Sequence, residues 1–382
     1  MSTNEVSVGL VALLAIVAPA CGGSAPSYAP PKLTDGGVCS GGACDAVVDV
    51  PNDVPNDADA SAPTCVPATK SDASVPARCL VVIASGRNDL VGFAIDGASV
   101  FWTERSGSGF AVKRAPALGG PVSTVVTSDR RAVAIGAGNV FLNSGNGLVA
   151  TAVADVSATA PVQGFGRNFA ASASDVYVAT CDGTFGSVLD LPTSGAAPSM
   201  IDAVGCMNDL AFADGTLYGA SIGGDKGAIT VPAGVWAWSL DGTPGTSLVG
   251  RPARDAGASY TLFAPLGVVA DATNVYWTEH GHGTAIPSDG AVMKMPLAGG
   301  TPEALVSGLH GPGDMALDGD TLYWGNTDGR IMKVSVTGGP ATVLATDQID
   351  PLNVTVDADA VYWTNRGAVG APEAAVLRLA PK

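Results

Sequence analysis

One aromatic position recurs along this chain and constrains its fold more than any other feature. Its seven copies are Phe101, Phe141, Tyr177, Tyr218, Tyr276, Tyr323 and Tyr362. Most intervals are about 36 to 47 residues, the length of one small β-repeat. The interval from Tyr218 to Tyr276 is longer and must contain insertions. Four copies share a pentapeptide: Val-Phe-Trp-Thr-Glu (100–104), Val-Tyr-Trp-Thr-Glu (275–279), Leu-Tyr-Trp-Gly-Asn (322–326) and Val-Tyr-Trp-Thr-Asn (361–365).

Each copy is typical of four short antiparallel strands, a to d, with the aromatic anchor on strand b. In the four clearest copies an aspartate stands five residues before the anchor, where it opens a predicted tight turn: Asp96, Asp271, Asp318 and Asp357. The 50 Gly and 26 Pro among 382 residues also favour short strands and turns. The pattern predicts an all-β, seven-bladed β-propeller. A single blade cannot bury its own faces, so the anchors and the tryptophans that follow them should pack between blades rather than hold a cofactor.

The two ends of the predicted domain complement each other. The seventh copy ends at Lys382 after its third strand, so its outer strand is missing. Before the first copy lies an apolar segment without a partner, Cys79-Leu80-Val81-Val82-Ile83. Pairing this segment with the C-terminal blade would close the ring and remove an exposed edge.

The Tyr-Trp-Thr copies resemble the YWTD propeller repeats of lipoprotein receptors and the related NHL-type propellers. The sevenfold count is more similar to virginiamycin B lyase-like propellers. The resemblance covers Cys79 to Lys382 and implies a fold, not an activity. Glu or Asn replaces the final Asp of YWTD here, and those receptor domains have six blades. A lyase-type catalytic His and Glu pair cannot be placed on these residues, so the resemblance assigns no catalytic residue.

The N-terminal residues predict export and anchoring. The apolar run from Val6 to Val17 has the length of a signal-peptide core. It ends in Ala18-Pro19-Ala20-Cys21, which resembles a bacterial lipobox and implies lipidation of Cys21; an ordinary cleaved signal is the alternative. Residues 1–21 are therefore predicted as signal peptide, 22–78 as a disordered Asp/Pro/Ala/Gly-rich stalk, and 79–382 as the propeller. We expect an extracytoplasmic lipoprotein, either periplasmic or on the cell surface.

The charge balance limits the class of partner. The formal net charge is −16, and the 19 Lys and Arg residues form no cluster. Nucleic-acid binding is therefore not expected, because it needs clustered cations opposite phosphates. The acidity favours solubility or attraction of cationic ligands.

Six cysteines besides Cys21 suggest disulfides in an exported protein. Cys181 and Cys206 fall in loops that a propeller places on one face, so they are predicted to pair. Cys39 with Cys44, and Cys65 with Cys79, would complete the set. No CxxC pair indicates a metal-thiolate site.

Long connections are predicted on the face formed by the b–c loops and the links between blades, where function usually lies on a rigid scaffold. They carry Arg251, Arg254 and Arg366, and the histidines His280, His282 and His310 with Glu279 and Asp289. Imidazole and carboxylate together suit Zn²⁺, and Ca²⁺ is a second candidate ion; exposed histidines without a common target are the alternative.

A second candidate site follows from the repeat register. Nine residues before their anchors stand Asn168, Asp209, Asp314 and Asn353, near the predicted mouth of the central channel. They would bind a cation or a hydroxyl-rich ligand, or else satisfy backbone groups at the starts of strands.

Taken together, these features predict a monomeric, lipid-anchored propeller that binds a protein or carbohydrate ligand. The alternative is a lyase or hydrolase acting on a sugar or lactone, with a metal-assisted site in the loops of the fourth to sixth units. No P-loop, dinucleotide fingerprint or nucleophile elbow is present in the sequence.

Overall fold

The computed structural model describes an all-β structure. The described residues are 78–87, 89–129, 132–136, 138–143, 148–153, 163–164, 169–172, 174–181, 186–194, 197, 199–226, 229–251, 265–281, 289–366 and 374–382. Within these ranges there is no helix of the length and apolarity that a membrane span requires.

The strands are short and follow one another closely, as the Gly-rich and Pro-rich sequence predicts. In chain order the first half comprises β1 (Cys79–Arg87), β2 (Leu90–Asp96), β3 (Ser99–Ser106), β4 (Gly109–Pro116), β5 (Ser123–Ser128), β6 (Ala132–Gly136), β7 (Asn139–Asn143), β8 (Leu148–Ala152), β9 (Gln163–Gly164), β10 (Phe169–Ala171), β11 (Asp175–Cys181), β12 (Gly186–Pro192), β13 (Ser199–Val204), β14 (Met207–Ala213) and β15 (Thr216–Ser221). The second half comprises β16 (Gly224–Lys226), β17 (Ile229–Val231), β18 (Ala233–Trp238), β19 (Thr246–Arg251), β20 (Pro265–Ala270), β21 (Asn274–Glu279), β22 (Gly290–Pro296), β23 (Glu303–Leu309), β24 (Pro312–Asp318), β25 (Thr321–Asn326), β26 (Ile331–Ser335), β27 (Thr342–Ala345), β28 (Pro351–Val356), β29 (Val361–Asn365) and β30 (Ala374–Ala380).

Six sheets of the described chain have the standard antiparallel order, and each is numbered after the copy of the anchor it carries. They are blade 1 (β2–β3–β4–β5), blade 3 (β10–β11–β12–β13), blade 4 (β14–β15–β18–β19), blade 5 (β20–β21–β22–β23), blade 6 (β24–β25–β26–β27) and blade 7 (β28–β29–β30–β1). The hairpin β16–β17 is a separate small sheet between β15 and β18. The predicted propeller of four-stranded antiparallel blades is confirmed.

The sheet that carries Phe141 departs from the predicted blade. β9 pairs with β6 instead of β8, so the order is β8–β7–β6–β9. β9 is only the dipeptide Gln163–Gly164, which offers little side-chain surface for an outer strand. This sheet is called the second-copy sheet below.

The N-terminal strand belongs to the sheet of the C-terminal residues. β1 is longer than the predicted segment of Cys79 to Ile83, and it pairs antiparallel with β30. Cys79 lies opposite Ala380 and Arg87 opposite Ala374, with two register shifts between them. β1 therefore supplies the outer strand of blade 7.

Buried apolar clusters lie between successive sheets, and each anchor aromatic belongs to the cluster that its sheet shares with the next one. Tyr362 of blade 7, for example, packs with Trp102 of blade 1, and its ring centroid lies 6.3 Å from that of Phe93. The prediction that the anchors pack between blades is confirmed. The hydrophobic effect of burying these rings is the main force that joins the sheets.

Candidate functional site

The strand-b motif builds the same polar contact in blades 1, 5 and 6. Trp102 Nε1 donates to Glu104 Oε2 at 3.0 Å, and Trp324 Nε1 donates to Asn326 Oδ1 at 2.9 Å. Trp277 Nε1 donates in the same way to Glu279 Oε1 at 3.3 Å. The residue two positions after tryptophan is thus an acceptor for a buried indole N–H, which needs a partner. Glu or Asn serves this role where the YWTD motif has Asp.

Blade 7 departs from this rule. Trp363 Nε1 donates to Gln348 Oε1 at 2.9 Å, although Asn365 occupies the usual acceptor position. Asn365 donates its Nδ2 to the same Gln348 oxygen at 3.2 Å. Gln348 Nε2 in turn donates to the carbonyl of Thr346 at 2.6 Å. Gln348 is buried and comes from the connection between blades 6 and 7, so a long-range contact replaces the local one.

Blade 4 obtains its indole from another strand. Glycine follows its anchor, at Gly219, where blades 1, 5, 6 and 7 have tryptophan. Trp238 of β18 lies over that glycine, so that a Cβ there would meet its ring at 3.0 Å. Trp238 Nε1 donates to Asp202 Oδ2 of blade 3 at 3.0 Å. The absence of a side chain at Gly219 is what makes room for the replacement ring.

The a–b turns carry the second repeated contact. Asp357 Oδ2 accepts the hydroxyl of Tyr362 at 2.7 Å, and its Oδ1 accepts two turn amides. Asp271 binds Tyr276 and its own turn in the same way. Burial alone would raise the pKa of Asp357, but the hydrogen bonds from Tyr362 and the turn amides hold it below its ordinary value. Burial, then the hydrogen bond to this carboxylate, raises the pKa of Tyr362 to about 12.

The two ends of the blades therefore differ. The tight-turn face, defined as the a–b and c–d turns, uses the same contacts in more than one blade: the Asp–Tyr bond recurs in blades 5 and 7. Its c–d turns hold Gly-Gly pairs at positive φ: Gly119-Gly120, Gly299-Gly300 and Gly338-Gly339. The loop face, defined as the b–c loops and the links between sheets, varies. Its longest connections join β15 to β18, β19 to β20, β21 to β22 and β29 to β30; residues 252–264, 282–288 and 367–373 of these lie outside the described residues.

A disulfide fixes one part of the loop face. Cys181 at the end of β11 is bonded to Cys206 between β13 and β14, which confirms this predicted pair. The backbone of Cys206 also pairs with Ile222 and Gly223, at the root of the β16–β17 hairpin. Cys79 forms no disulfide with another described residue, and Cys65 lies outside the described residues, so their pairing stays a prediction. Cys39, Cys44 and Cys21 also lie outside the described residues.

Two of the three histidines, His280 and His310, lie in neighbouring connections. His280 follows β21, and His310 lies between β23 and β24. A Cβ on Gly311 would lie 2.9 Å from His280 Nε2, so the imidazole rests against the next connection. Yet the described residues contain no group of three His, Cys, Asp or Glu side chains that could hold a metal. Asp289 and Glu279 do not complete such a group, and His282 lies outside the described residues.

The predicted ring of polar residues joins successive inner strands. Asp209 Oδ2 accepts the amide of Val268 in blade 5 at 2.7 Å. Asp314 Oδ2 accepts the amide of Asn353 in blade 7 at 2.6 Å. Asn353 Nδ2 donates to Thr364 Oγ1 at 2.8 Å. Inner strands carry register shifts at these places, which free main-chain groups for side chains.

Of the two predicted roles, these bonds favour a structural one over ligand binding. Asp209 and Asp314 accept backbone amides of the neighbouring blade, and Asn353 binds a threonine of its own blade. Asn168 lies outside the described residues.

The three candidate arginines are placed differently. Arg366, at the end of β29, donates Nε to Asp350 Oδ2 at 2.7 Å, and its backbone amide donates to the Asp350 carbonyl. Its charge is therefore matched within the loop face. Arg251 ends β19, and only its backbone is described; Arg254 lies outside the described residues.

Sequence reasoning missed Gln348. It stands outside the repeated motif and acts on a tryptophan 15 positions away. The sequence offers one signal, the aspartates Asp347 and Asp350 on either side of it. In the structure both adopt a positive φ, which Asn, Asp and Gly tolerate best.

Comparisons with known proteins support the fold. No family model matches the chain, and no curated protein matches its sequence. An oligogalacturonate lyase in complex with manganese has a TM-score of 0.56 and 10% identity, covering 81% of this chain and 95% of its own. A puromycin-hydrolysing peptidase of Mycobacterium tuberculosis has a TM-score of 0.51 and 15% identity, covering 78% of this chain and 52% of its own.

A nidogen/laminin complex is also similar, at 17% identity and a TM-score of 0.43, covering 72% of this chain and 86% of its own. At these identities the similarity to the lyase and the peptidase concerns the fold alone.

Proposed function

We propose that this chain is an exported, lipid-anchored, seven-bladed propeller that binds a ligand through its loop face. The observation that carries the proposal is the asymmetry of the two faces. The tight-turn face repeats contacts that serve the blades themselves. The loop face has long, individual connections, a disulfide and a separate hairpin. Individual loops on a rigid scaffold are where binding functions usually reside.

Three features support a closed ring of seven. β1 pairs with β30, blade 7 packs on blade 1 through Tyr362 and Trp102, and the second-copy sheet packs between blades 1 and 3. On this proposal the second-copy sheet is a blade with an atypical outer edge. The Cys181–Cys206 disulfide is consistent with an extracytoplasmic location.

The binding proposal is tested with matched variants of the two faces. A panel of saccharides and peptides is screened against the purified domain, and each hit is measured by calorimetry. Replacing 252–264 by a Gly-Ser linker of equal length should abolish or strongly weaken binding without lowering the midpoint of thermal unfolding. Leu118→Ser, at an exposed position of a c–d turn, is the control and should leave affinity unchanged. Binding that survives the loop replacement and is lost in the control would exclude the loop face.

The enzyme alternative rests on one observation, the approach of His280 to the connection of His310. In this reading His280, His282 and His310 hold Zn²⁺, Ca²⁺ or another divalent ion and assist cleavage of a sugar or lactone. Metal analysis of the purified protein decides between the two readings. Stoichiometric metal that is lost in His282→Ala supports the enzyme. A metal-free protein whose thermal midpoint ignores chelator argues against it.

The anchor has its own test. Palmitate labelling and membrane association should both disappear in Cys21→Ala. If the membrane-bound fraction of that variant were unchanged, the lipid anchor at Cys21 would be excluded, and only the proposed export would remain.

A further inference from the structure

The hairpin β16–β17 of the loop face is not part of a blade. It is a two-stranded sheet, and its strands pair with no other strand of the described chain. A hairpin of this size is marginally stable in water unless other contacts support it. Its order therefore depends on how the segment that joins it to β15 is held.

The hairpin root, Ile222 and Gly223, is held mainly by long main-chain contacts. The amide of Cys206 donates to the carbonyl of Gly223 at 3.3 Å, beyond the usual length of an N–H···O bond. The amide of Ile222 donates to the carbonyl of Cys206 at 3.1 Å, and Ser221 Oγ donates to that carbonyl at 3.4 Å. A Cβ at Gly205 would lie 2.7 Å from the main-chain carbon of Gly223, so the two backbones touch without side chains. Ile222 is 50% exposed, so its burial adds little to this contact.

The disulfide links this weak contact to blade 3. Cys181 ends β11, whose centre is buried, and its bond to Cys206 ties the hairpin root to that strand. The two cysteines differ in exposure, because Cys181 is exposed whereas Cys206 is only 6% exposed. A thiolate in solution therefore reaches Cys181 and not Cys206. Exposed disulfides of this kind are the ones that exchange with thiols most readily.

We propose that Cys181 is a thiol-exchange site and that its disulfide is a redox-sensitive clamp on the β16–β17 hairpin. A thiolate of a dithiol reductant attacks Sγ of Cys181 and forms a mixed disulfide. The bond to Cys206 breaks, and the Cys206 thiolate takes up a proton. The second thiol of the reductant then displaces Cys181 and closes a disulfide within the reductant. Two electrons and two protons pass to the protein, and the reductant is oxidised.

The clamp regulates the loop face, because the hairpin belongs to that face. With the disulfide closed, the hairpin root is fixed and the face is preorganised for its ligand. With the disulfide open, the long bonds of Cys206 are left to hold the root, and the hairpin opens locally while the blades stay folded. This inference rests on the proposed binding function of the loop face and names its regulation.

Hydrogen–deuterium exchange of the full chain, oxidised and then reduced with dithiothreitol, tests the clamp. Peptides covering 222–232 should exchange at least about tenfold faster after reduction, and those of β11, β14 and β15 should change less than about twofold. The double variant Cys181→Ser, Cys206→Ser should exchange like the reduced protein without any reductant. Adding dithiothreitol to the double variant should change nothing further at 222–232, which separates this disulfide from the other cysteines.

The site of attack has its own measurement. Brief treatment with a small amount of glutathione, followed by iodoacetamide, should leave glutathione on Cys181 and the alkyl group on Cys206, as located by mass spectrometry. Glutathione on Cys206 instead would overturn the assignment of Cys181.

Unchanged exchange at 222–232 in both the reduced protein and the double variant overturns the clamp. Faster exchange throughout blades 3 and 4 also overturns it, because the disulfide would then stabilise the blades and not the hairpin. A loop-face ligand from the panel should bind the double variant at least about tenfold more weakly than the oxidised protein. If that ligand binds both equally, the regulation fails and the binding function stands. If the panel yields no ligand, the binding function fails, and the exchange measurement still decides whether the clamp exists.

Discussion

The tight-turn face and the loop face of this propeller use the same strands in opposite ways. At the tight-turn face, Asp271 and Asp357 hold their turns and the hydroxyls of Tyr276 and Tyr362 by nearly identical bonds. At the loop face, the described connections differ in their contacts: Cys206 pairs with the root of the β16–β17 hairpin, whereas Gln348 binds Trp363 and Asn365. Residues at repeated positions therefore stabilise the blades. Residues that depart from the repeat make contacts found in one blade only, and such positions are candidates for a specific function.

The largest expected effect concerns the covalent bond of the loop face. Replacing Cys181 and Cys206 by serine should lower the free energy of unfolding by about 3 kcal/mol, because the bond closes a long loop of the unfolded chain. Urea denaturation of the double variant measures the loss, with the wild type under reducing conditions as the control. A change below about 1 kcal/mol would show that Cys206 is held mainly by its backbone bonds.

The tight-turn contacts should come next. Asp357→Ala removes the acceptor of Tyr362 and of two turn amides, and should cost about 1–3 kcal/mol of unfolding free energy. Asp359→Ala, at an exposed position of the same turn, is the control and should stay within about 0.5 kcal/mol of wild type. If the two variants lose equal stability, the repeated aspartate has no special role.

A paired comparison of blades 6 and 7 should show a smaller difference. Asn326→Ala leaves the buried N–H of Trp324 without its acceptor and should cost about 1–3 kcal/mol. Gln348→Ala allows Asn365 to take the N–H of Trp363 and should cost less. Urea denaturation measures both losses of unfolding free energy. Their difference shows how well Asn365 replaces Gln348 as the acceptor for the indole. If Gln348→Ala lost more unfolding free energy than Asn326→Ala, Asn365 would not be able to replace Gln348 as the acceptor for Trp363.

The smallest expected effect is the dependence of stability on acidity. The pKa values of Asp271 and Asp357 are lower in the folded protein, because hydrogen bonds to their carboxylates outweigh the opposing effect of burial. Their contribution is complete above the unfolded pKa of about 3.9 and declines as the pH falls through the lower folded values. Unfolding measured from pH 5 downward should therefore have a shallower slope in the double variant Asp271→Asn, Asp357→Asn. An unchanged slope would assign the acid sensitivity to other carboxylates.

The fold could be predicted from the sequence because its signal is periodic. The anchors, the turn aspartates and the apolar N-terminal segment repeat or complement one another, so few arrangements satisfy all of them. The second-copy sheet was harder to predict, because β9 is too short to leave a pattern and pairs with β6 instead of β8. The role of Trp238 could not be predicted either, because only the structure shows that an indole from strand c fills the space above Gly219.

The candidate site was less accessible to prediction. Sequence register placed Asp209 and Asp314 at inner strands, but did not decide between a ligand and a neighbouring backbone amide as the partner. Gln348 carries no motif, because its role depends on contacts with Trp363 and Asn365, which are distant in the chain. Such contacts become visible only when the blades are assembled.

The most direct test of the division between the faces is hydrogen–deuterium exchange with and without a ligand identified from the panel. We predict that protection on binding is confined to the loop face, in peptides covering 222–232, 280–289, 346–350 and 366–373. Exchange in the a–b and c–d turns should not change. Protection at the turns of Asp271 and Asp357, with none at the loop face, would contradict it.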